Sequence, residues 1–478
     1  MNSESKANRN EHARISESED SNERAIVIGG GIAGLLAARV LDDHFDEVTI
    51  LERDRYPQGP EPRTGAPQSH HVHLLLLRGK RIMEHLFPGF TNDLIEHGAS
   101  VVEMGQELAV LNYHGWRTQY QGGLELLTFT RPLLEWLTRA RLAERERIKF
   151  HQGHRVTGLV ADASGRQVEG IRYQDSFNPG SESELHGALI VDASGRFSDA
   201  PDWLASLGYP QPDETVVDPL LGYASRLYEA HRDGNSLDEL RPGWKAILLM
   251  GEPPDYTRAG VLLPVEGDRW HVTLIGISGD YPPTDEAGFM EFARSLRSSV
   301  IFEAIENARP CSTISGSRST ENRRVHYQAM EGRPSRFIVL GDALCSLNPI
   351  YGQGMSVAAM HAMALDRCLR EADSLSKDSG GPALRFQARV EETIETPWLL
   401  ATGDDVRWPK TKGVQQRGLS KRLAHRYLDA ISVLATEDPE VDRALTRVAH
   451  LIAPVQELFR PRIALRATAR IINPFADA

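Results

Sequence analysis

Four apolar residues, Ala25-Ile26-Val27-Ile28, run straight into Gly29-Gly30-Gly31-Ile32-Ala33-Gly34. A short β-branched run is the form of a strand buried on both faces, and the Leu35–Leu41 stretch beyond the glycines favours helix. Val48-Thr49-Ile50-Leu51 then reads as a second strand that ends at Glu52-Arg53. Strand, glycine turn, helix, strand, acid is the order that a dinucleotide-binding unit requires. Gly29 allows the tight turn, Gly31 lets backbone amides approach a pyrophosphate, and Gly34 permits close helix–sheet contact beside a helix N-terminus that favours negative charge. Glu52, 18 residues past Gly34, can accept both ribose hydroxyls of an adenosine. The bland alternative is a merely structural glycine turn.

The chain around that unit has 478 residues, with 41% hydrophobic and 25% charged side chains, room for two or three packed units in a globular protein. The formal charge of −12 argues against nucleic acid as a partner. Residues 1–23 carry six acids and three bases with few apolar side chains, which predicts a disordered leader without a signal-peptide core. Cys311, Cys345 and Cys368 are too scattered for a disulfide framework or a thiolate metal site. No apolar run approaches the length of a membrane span, and the expected location is the cytoplasm.

Short β-rich runs separated by Gly, Pro, Asp and Asn occupy 148–277, among them Arg155–Val160, Ile171–Gln174, Ala188–Val191, Tyr223–Tyr228, Lys245–Met250, Gly260–Pro264 and Trp270–Ile275. They predict an antiparallel sheet. Helices are expected near Leu74–Leu86, Pro132–Arg147, Gly352–Leu369, Ala383–Leu399, Lys421–Leu434 and Pro439–Leu451. The fold class is therefore α/β: a Rossmann-type domain over 24–200, with interleaved elements of the other unit; a β-rich substrate domain over 201–315; the Rossmann domain again over 316–380; and a helical segment over 381–478.

A glycine fingerprint alone does not separate NAD from FAD. The second element does: Phe337–Leu340 is another buried-type strand, and it ends in Gly341-Asp342-Ala343, shortly before Pro349-Ile350-Tyr351-Gly352-Gln353-Gly354-Met355. A carboxylate at a strand end can bind a polyhydroxylated linker, and a fresh helix start can stabilise a reduced isoalloxazine. The plain reading of Asp342, a helix cap or turn acid, weakens once a fingerprint precedes it.

The fingerprint with Glu52-Arg53, Arg131 before a Leu-rich helix, Val191-Asp192-Ala193-Ser194-Gly195-Arg196 and Gly341-Asp342-Ala343 through Gly352-Gln353-Gly354 together resemble the FAD-dependent monooxygenases of the para-hydroxybenzoate hydroxylase fold. Arg63–Gln68 with His71-Val72-His73, and Pro397-Trp398 to Asp404-Asp405, resemble the bacterial flavin epoxidases that act on polyketides and are related to squalene epoxidase. The resemblance implies that Gly29, Gly31, Gly34 and Glu52 hold the adenosine diphosphate, with Arg53 beside the adenosine and Ala33 also among the cofactor-binding residues. It implies further that Arg63 and Arg131 lie near the pyrophosphate, ribityl chain or flavin, and that Val156 offers its amide to the adenine. Asp342 would bind the ribityl or pyrophosphate segment, with Gly354 and Met355 donating amides to the flavin's pyrimidine edge and Pro349 and Gly352 also among the cofactor-binding residues.

The activity implied is insertion of one oxygen atom from O2, through a flavin hydroperoxide, into a lipophilic secondary metabolite by epoxidation or hydroxylation. Baeyer–Villiger insertion and a flavin reductase or dehydrogenase are the alternatives. No acid or base is nominated as catalytic, because an epoxidation needs none. The Trp-x-Trp-x-Ile-Pro signature of flavin halogenases does not occur. The Asp192 motif departs from the family's Asp-Gly form, so NAD(P)H would donate electrons directly or through a separate flavin reductase. His70, His71 and His73 lack a neighbouring carboxylate or thiol and read as packing or loop residues rather than metal ligands. Arg462, Arg466 and Arg470 recur every four residues in an apolar stretch, a basic helix face that packs on its own domain or touches a membrane surface.

Overall fold

A computed structural model of the chain describes residues 23–178, 180–230, 237, 241–371, 381–413 and 419–472. The expected disordered leader, apart from Glu23, lies outside them. Strand β1 (Arg24–Ile28) is buried along its whole length at the centre of a five-stranded parallel sheet. On one side of it lie β2 (Glu47–Glu52) and then β3 (Ile148–Gln152), on the other β4 (Leu189–Asp192) and then β5 (Phe337–Val339). Parallel strands all end on one edge, so Gly29, Glu52, Asp192 and Asp342 gather there, where α/β sheets bind ligands.

Helix α1 (Ile32–Leu41) crosses β1 at close range. A Cβ at Gly34 would overlap the Gly29 carbonyl oxygen and sit 3.2 Å from a Val27 methyl. Gly29 itself turns at φ +96°, and its N–H donates to the Leu51 carbonyl (2.8 Å), tying the turn to β2. Helix α2 (Arg131–Ala143) has Thr130 as its cap, and α3 (Gly354–Arg370) and α4 (Gly381–Asp405) follow β5.

The second large sheet has seven strands, in the order Ser315–Ser317, Gly222–Glu229, Arg269–Gly276, Arg258–Val265, Ala246–Leu249, Leu108–Asn112 and Gly115–Trp116. Side chains alternate across it. Ala224, Tyr228, Leu262, Val272 and Leu274 pack on helices Glu286–Arg294 and Val300–Ile305. Tyr223, Ala259, Val261 and Ile275 belong to separate clusters on the opposite face.

Three differences from the sequence reading have local causes. Ala188–Val191 does not join the antiparallel sheet, because Leu189–Asp192 is the parallel partner of β1; its unbroken apolar run suits burial on both faces. Arg155–Val160 and Ile171–Gln174 instead pair in a small antiparallel sheet with Ser183–His186. The helix expected from Leu74 begins at Leu77, since 71–76 stay extended to cross the large sheet.

Helices Leu419–Leu434, Pro439–Ala449 and Pro461–Ile472 form a core of their own around Ile431, Val441, Val448 and Ile463. Arg462 pairs with Glu440, Arg466 with Asp438 and Arg470 with Glu437. Among the described residues no helix is long and apolar enough to cross a membrane. Gly34→Ala should destabilise the protein by roughly 2–4 kcal/mol or abolish soluble expression, because rigid backbone opposes the new methyl. Gly59→Ala, with nothing within 4 Å, should leave the melting temperature unchanged; thermal denaturation of both variants checks the pair.

Candidate functional site

The crevice at the strand ends begins at Gly31, the N-cap of α1. That helix has no side-chain cap and no acid in its first turn, so its leading amides keep their donors for a ligand. A Cβ at Gly31 would meet only Arg63 (3.7 Å) and Arg131 (4.0 Å). Floor, amides and two guanidinium groups thus bound one space.

Glu52 is buried, with 5% exposure, and each of its oxygens accepts a backbone N–H: Gly30 at 2.9 Å and Asp54 at 3.0 Å. A carboxylate oxygen has a second lone pair; Arg63 already stands 3.3 Å from Oε2, so Oε1 is the oxygen that retains capacity for a ribose hydroxyl. Arg53, the next side chain, is exposed. Val156 is buried on strand His154–Ala161, and that strand is tied to the end of β2 where Gly153 N–H donates to Asp54 O (3.0 Å).

The two arginines differ in how fully they are compensated. Arg63 contacts Glu135 (2.6 Å), Asp54 (2.8 Å) and Glu52 (3.3 Å). Burial opposes its charge, but Glu135 and Glu52 outweigh it and hold its pKa above the ordinary arginine value. Arg131 reaches Glu135 only at 3.5 Å, and its buried Nε has no hydrogen-bond partner. Burial pulls the Arg131 pKa down, and Arg63 adds to that pull against Glu135 and Asp342. Arg131 is therefore the cation that gains most from an incoming anion. Glu135, Asp54 and Tyr56, whose hydroxyl donates to Gly30 O (3.3 Å), were not singled out in the sequence. Of these only Glu135, one helical turn after Arg131, left a readable signal.

The other wall follows β5. A Cβ at Gly341 would stand 2.6 Å from the Ala33 methyl, which places Asp342 beside the start of α1. The Asp342 carboxyl is solvent-exposed at the bottom of the crevice, yet surrounding protein pushes its pKa up against the pull of Arg196 and Arg131. A Cβ at Gly354 would lie 3.8 Å from its Oδ1. Helix α3 starts here, again without a side-chain cap, and the buried Gln353 Oε1 has no partner. Gly352 sits in the left-handed region at φ +62°, Met355 is buried and Pro349 faces solvent. A long ligand with a central diphosphate fits this crevice: two uncapped helix starts, an under-compensated arginine, and carboxylates at both ends for hydroxyl groups.

The segment 70–74 bridges this crevice and the large sheet. His71 Nδ1 meets Ser225 Oγ (2.8 Å), Val72 N–H donates to Thr273 Oγ1 (3.2 Å), and His271 Nε2 meets the His70 carbonyl (3.1 Å). His73 Nδ1 lies 2.9 Å from His71 O, and a Cβ at Gly352 would come within 2.9 Å of Leu74 Cβ. The strap engages Ser225, Thr273 and His271 on that sheet face. What remains next to the turn is apolar: Leu221, Tyr223, Ala259, Ile275, Ile277 and Trp408, packed with Ile350.

Asp192 is not open to a ligand, since Ser194 N–H (2.9 Å) and Ser198 Oγ (2.5 Å) donate to it, and Arg196 binds Glu321 (2.9 Å).

Arg131→Met should weaken binding of a diphosphate-containing cofactor about tenfold or more, with little change in melting temperature because Arg63 still pairs with Glu135; fluorescence titration of apoprotein reads the first and thermal denaturation the second. Burial lowers the pKa of His71 and of His73 to about 3 and that of His271 to about 4. These rings are neutral in the fold, and the unfolded chain takes up more protons below the unfolded value of ~6.5. Stability should therefore fall as pH drops from 7 to 5, and a His71→Gln variant should show a shallower fall in melting temperature over that range.

Comparison with known proteins places this geometry. The chain is 29% identical to protein Rv3254 of Mycobacterium tuberculosis over 80% of each chain. It is 26% identical to kynurenine 3-monooxygenase of Salinispora arenicola over 73% of this chain and 72% of that one, and 25% identical to squalene monooxygenase of Mus musculus over 76% and 57%. The flavin-dependent brominase Bmp2 shares the fold, with a TM-score of 0.64 at 15% identity over 93% of this chain and 97% of that one. The FAD binding domain family matches residues 23–375; the chain belongs to that family and is an FAD-dependent monooxygenase of the para-hydroxybenzoate hydroxylase fold.

Proposed function

We propose that this monooxygenase inserts one oxygen atom from O2 into a lipophilic secondary metabolite by epoxidation or hydroxylation, with the seven-stranded sheet as the substrate-side wall. The observation that carries the reading is the apolar cluster of Leu221, Tyr223, Ala259, Ile275, Ile277 and Trp408 against Ile350. Relatives are named for substrates as different as kynurenine and squalene, so the wall rather than the family argues for the substrate class. Bound and reduced, FAD supplies the oxygen activation.

The chain's own residues bind, orient and exclude water. The start of α1, Glu52 and Arg131 would hold the adenosine diphosphate, Asp342 the ribityl chain, and the amides of Gly354 and Met355 the pyrimidine edge. The strap 70–74 and the apolar wall would keep bulk water from the reacting centre. The Asp192 and Arg196 side chains are engaged within the protein, which supports delivery of electrons from NAD(P)H through a separate flavin reductase.

The test is anaerobic reduction of the purified yellow protein by NADH or NADPH with and without an unrelated flavin reductase, followed by oxygen uptake with a panel of lipophilic alkenes and aromatics. Rapid bleaching only with the reductase, and a product carrying one labelled atom from 18O2, are expected. Bleaching without substrate-dependent oxygen uptake would make the chain a reductase or dehydrogenase. Ile275→Asp should retain FAD but lower coupled product formation about tenfold or more, since a carboxylate on the apolar wall must stay solvated.

A further inference from the structure

Helix α4 ends in two adjacent carboxylates at the turn that precedes α3. Asp405 is 2% exposed, yet it accepts from Asn322 Nδ2 (2.6 Å), from Asn348 Nδ2 with both oxygens (3.1 Å each) and from the Tyr351 hydroxyl (2.7 Å). Asn348 and Tyr351 are the two ends of the turn Asn348–Tyr351. Asn348 is fixed on three sides: its N–H donates to Asn322 Oδ1 (2.8 Å), its Oδ1 accepts from Ile350 N–H (3.2 Å), and its Nδ2 faces Asp405. Asp404 stands beside it, accepts from the Tyr113 hydroxyl (3.1 Å) and lies 3.2 Å from the Tyr351 oxygen, whose one proton has its shorter contact with Asp405. The far side of the clamp is anchored too, since Arg407 pairs with Asp429 (2.6 Å) on helix Leu419–Leu434.

We propose that Asp405 is a positioning residue for the flavin: it clamps both ends of the turn Asn348–Tyr351 and so sets where Gly352, Gly354 and Met355 stand in the cofactor crevice. The inference rests on FAD occupying that crevice and not on any choice of substrate. Every group facing Asp405 from the turn and from Asn322 is a donor, so the site calls for an atom set that only accepts, and a carboxylate is the side chain of that kind. Burying it is costly: desolvation raises its pKa to about 7 against the opposing pull of Tyr351, Asn348 and Asn322. Such a cost is repaid only where geometry is well defined. Helix α4 thereby becomes part of the cofactor site although it lies in the C-terminal segment, outside the glycine and Asp342 motifs.

Asp405→Asn keeps the shape but turns an amide NH2 toward donors. The full-length apoprotein is titrated with FAD and, separately, with ADP, and the visible spectrum of the FAD complex is recorded. Expected are FAD binding weakened about tenfold, an altered flavin absorption band, and unchanged ADP affinity, because ADP depends on the Gly29–Gly34 turn and Glu52. Tyr351→Phe removes one donor alone and should give the same pattern at about two- to fivefold; it is the reading that decides if Asp405→Asn does not fold. Wild-type FAD affinity and spectrum in these variants, or FAD and ADP affinities that fall together, would overturn the proposal. Neither substrate nor oxygen enters the assay, so a failed substrate reading leaves it intact.

Discussion

Everything at the cofactor end depends on how closely α1 crosses β1. With no side chain at Gly34, the helix rests on the Gly29 carbonyl, and its uncapped first turn stands at the strand edge. Any larger residue would lift the helix and carry its N-terminal dipole, which acts within about one turn, away from the strand edge. Gly341 against Ala33 repeats the device from β5. Two close approaches fix the width of the crevice before any polar group is added.

The strap 70–74 couples that crevice to the second sheet. Its backbone and histidines bond Ser225, Thr273 and His271, polar side chains that share one face of the large sheet. Deep burial keeps the histidines neutral, and neutral rings bring no charge into the gap between the sheets. The same segment that closes the gap between sheets therefore also leaves the wall beyond it apolar.

The cofactor half was legible in the sequence because its requirements are local. Gly29, Gly31 and Gly34 serve one turn, and Glu52 follows at the end of the next strand. Ala188–Val191 was misplaced in the antiparallel sheet because neighbouring runs were short and β-rich too; only its unbroken apolar pattern distinguished it. Leu108–Asn112, which joins the large sheet beside Ala246–Leu249, was not anticipated at all, since a strand of four or five residues gives little periodicity. Asp54 and Tyr56 could not be found by spacing, because their partners Arg63 and Gly30 meet them through loop geometry. Asp405 stood out only through a family likeness, and its role comes from contacts with residues 57 and 83 positions away.

The electrostatics of the crevice separate two arginines that look equivalent in the sequence. Arg63 faces Glu52, Asp54 and Glu135; a phosphate arriving beside it meets charge already neutralised, so its part is to hold those carboxylates together without mutual repulsion. Arg131 shares Glu135 at longer range and keeps an orphan Nε, and a buried donor without a partner costs roughly 1–3 kcal/mol. A ligand that supplies the acceptor recovers that cost on binding. An anion at Arg131 would therefore recover in the complex what the free protein loses there, while Arg63 holds Glu52 in place at the strand end.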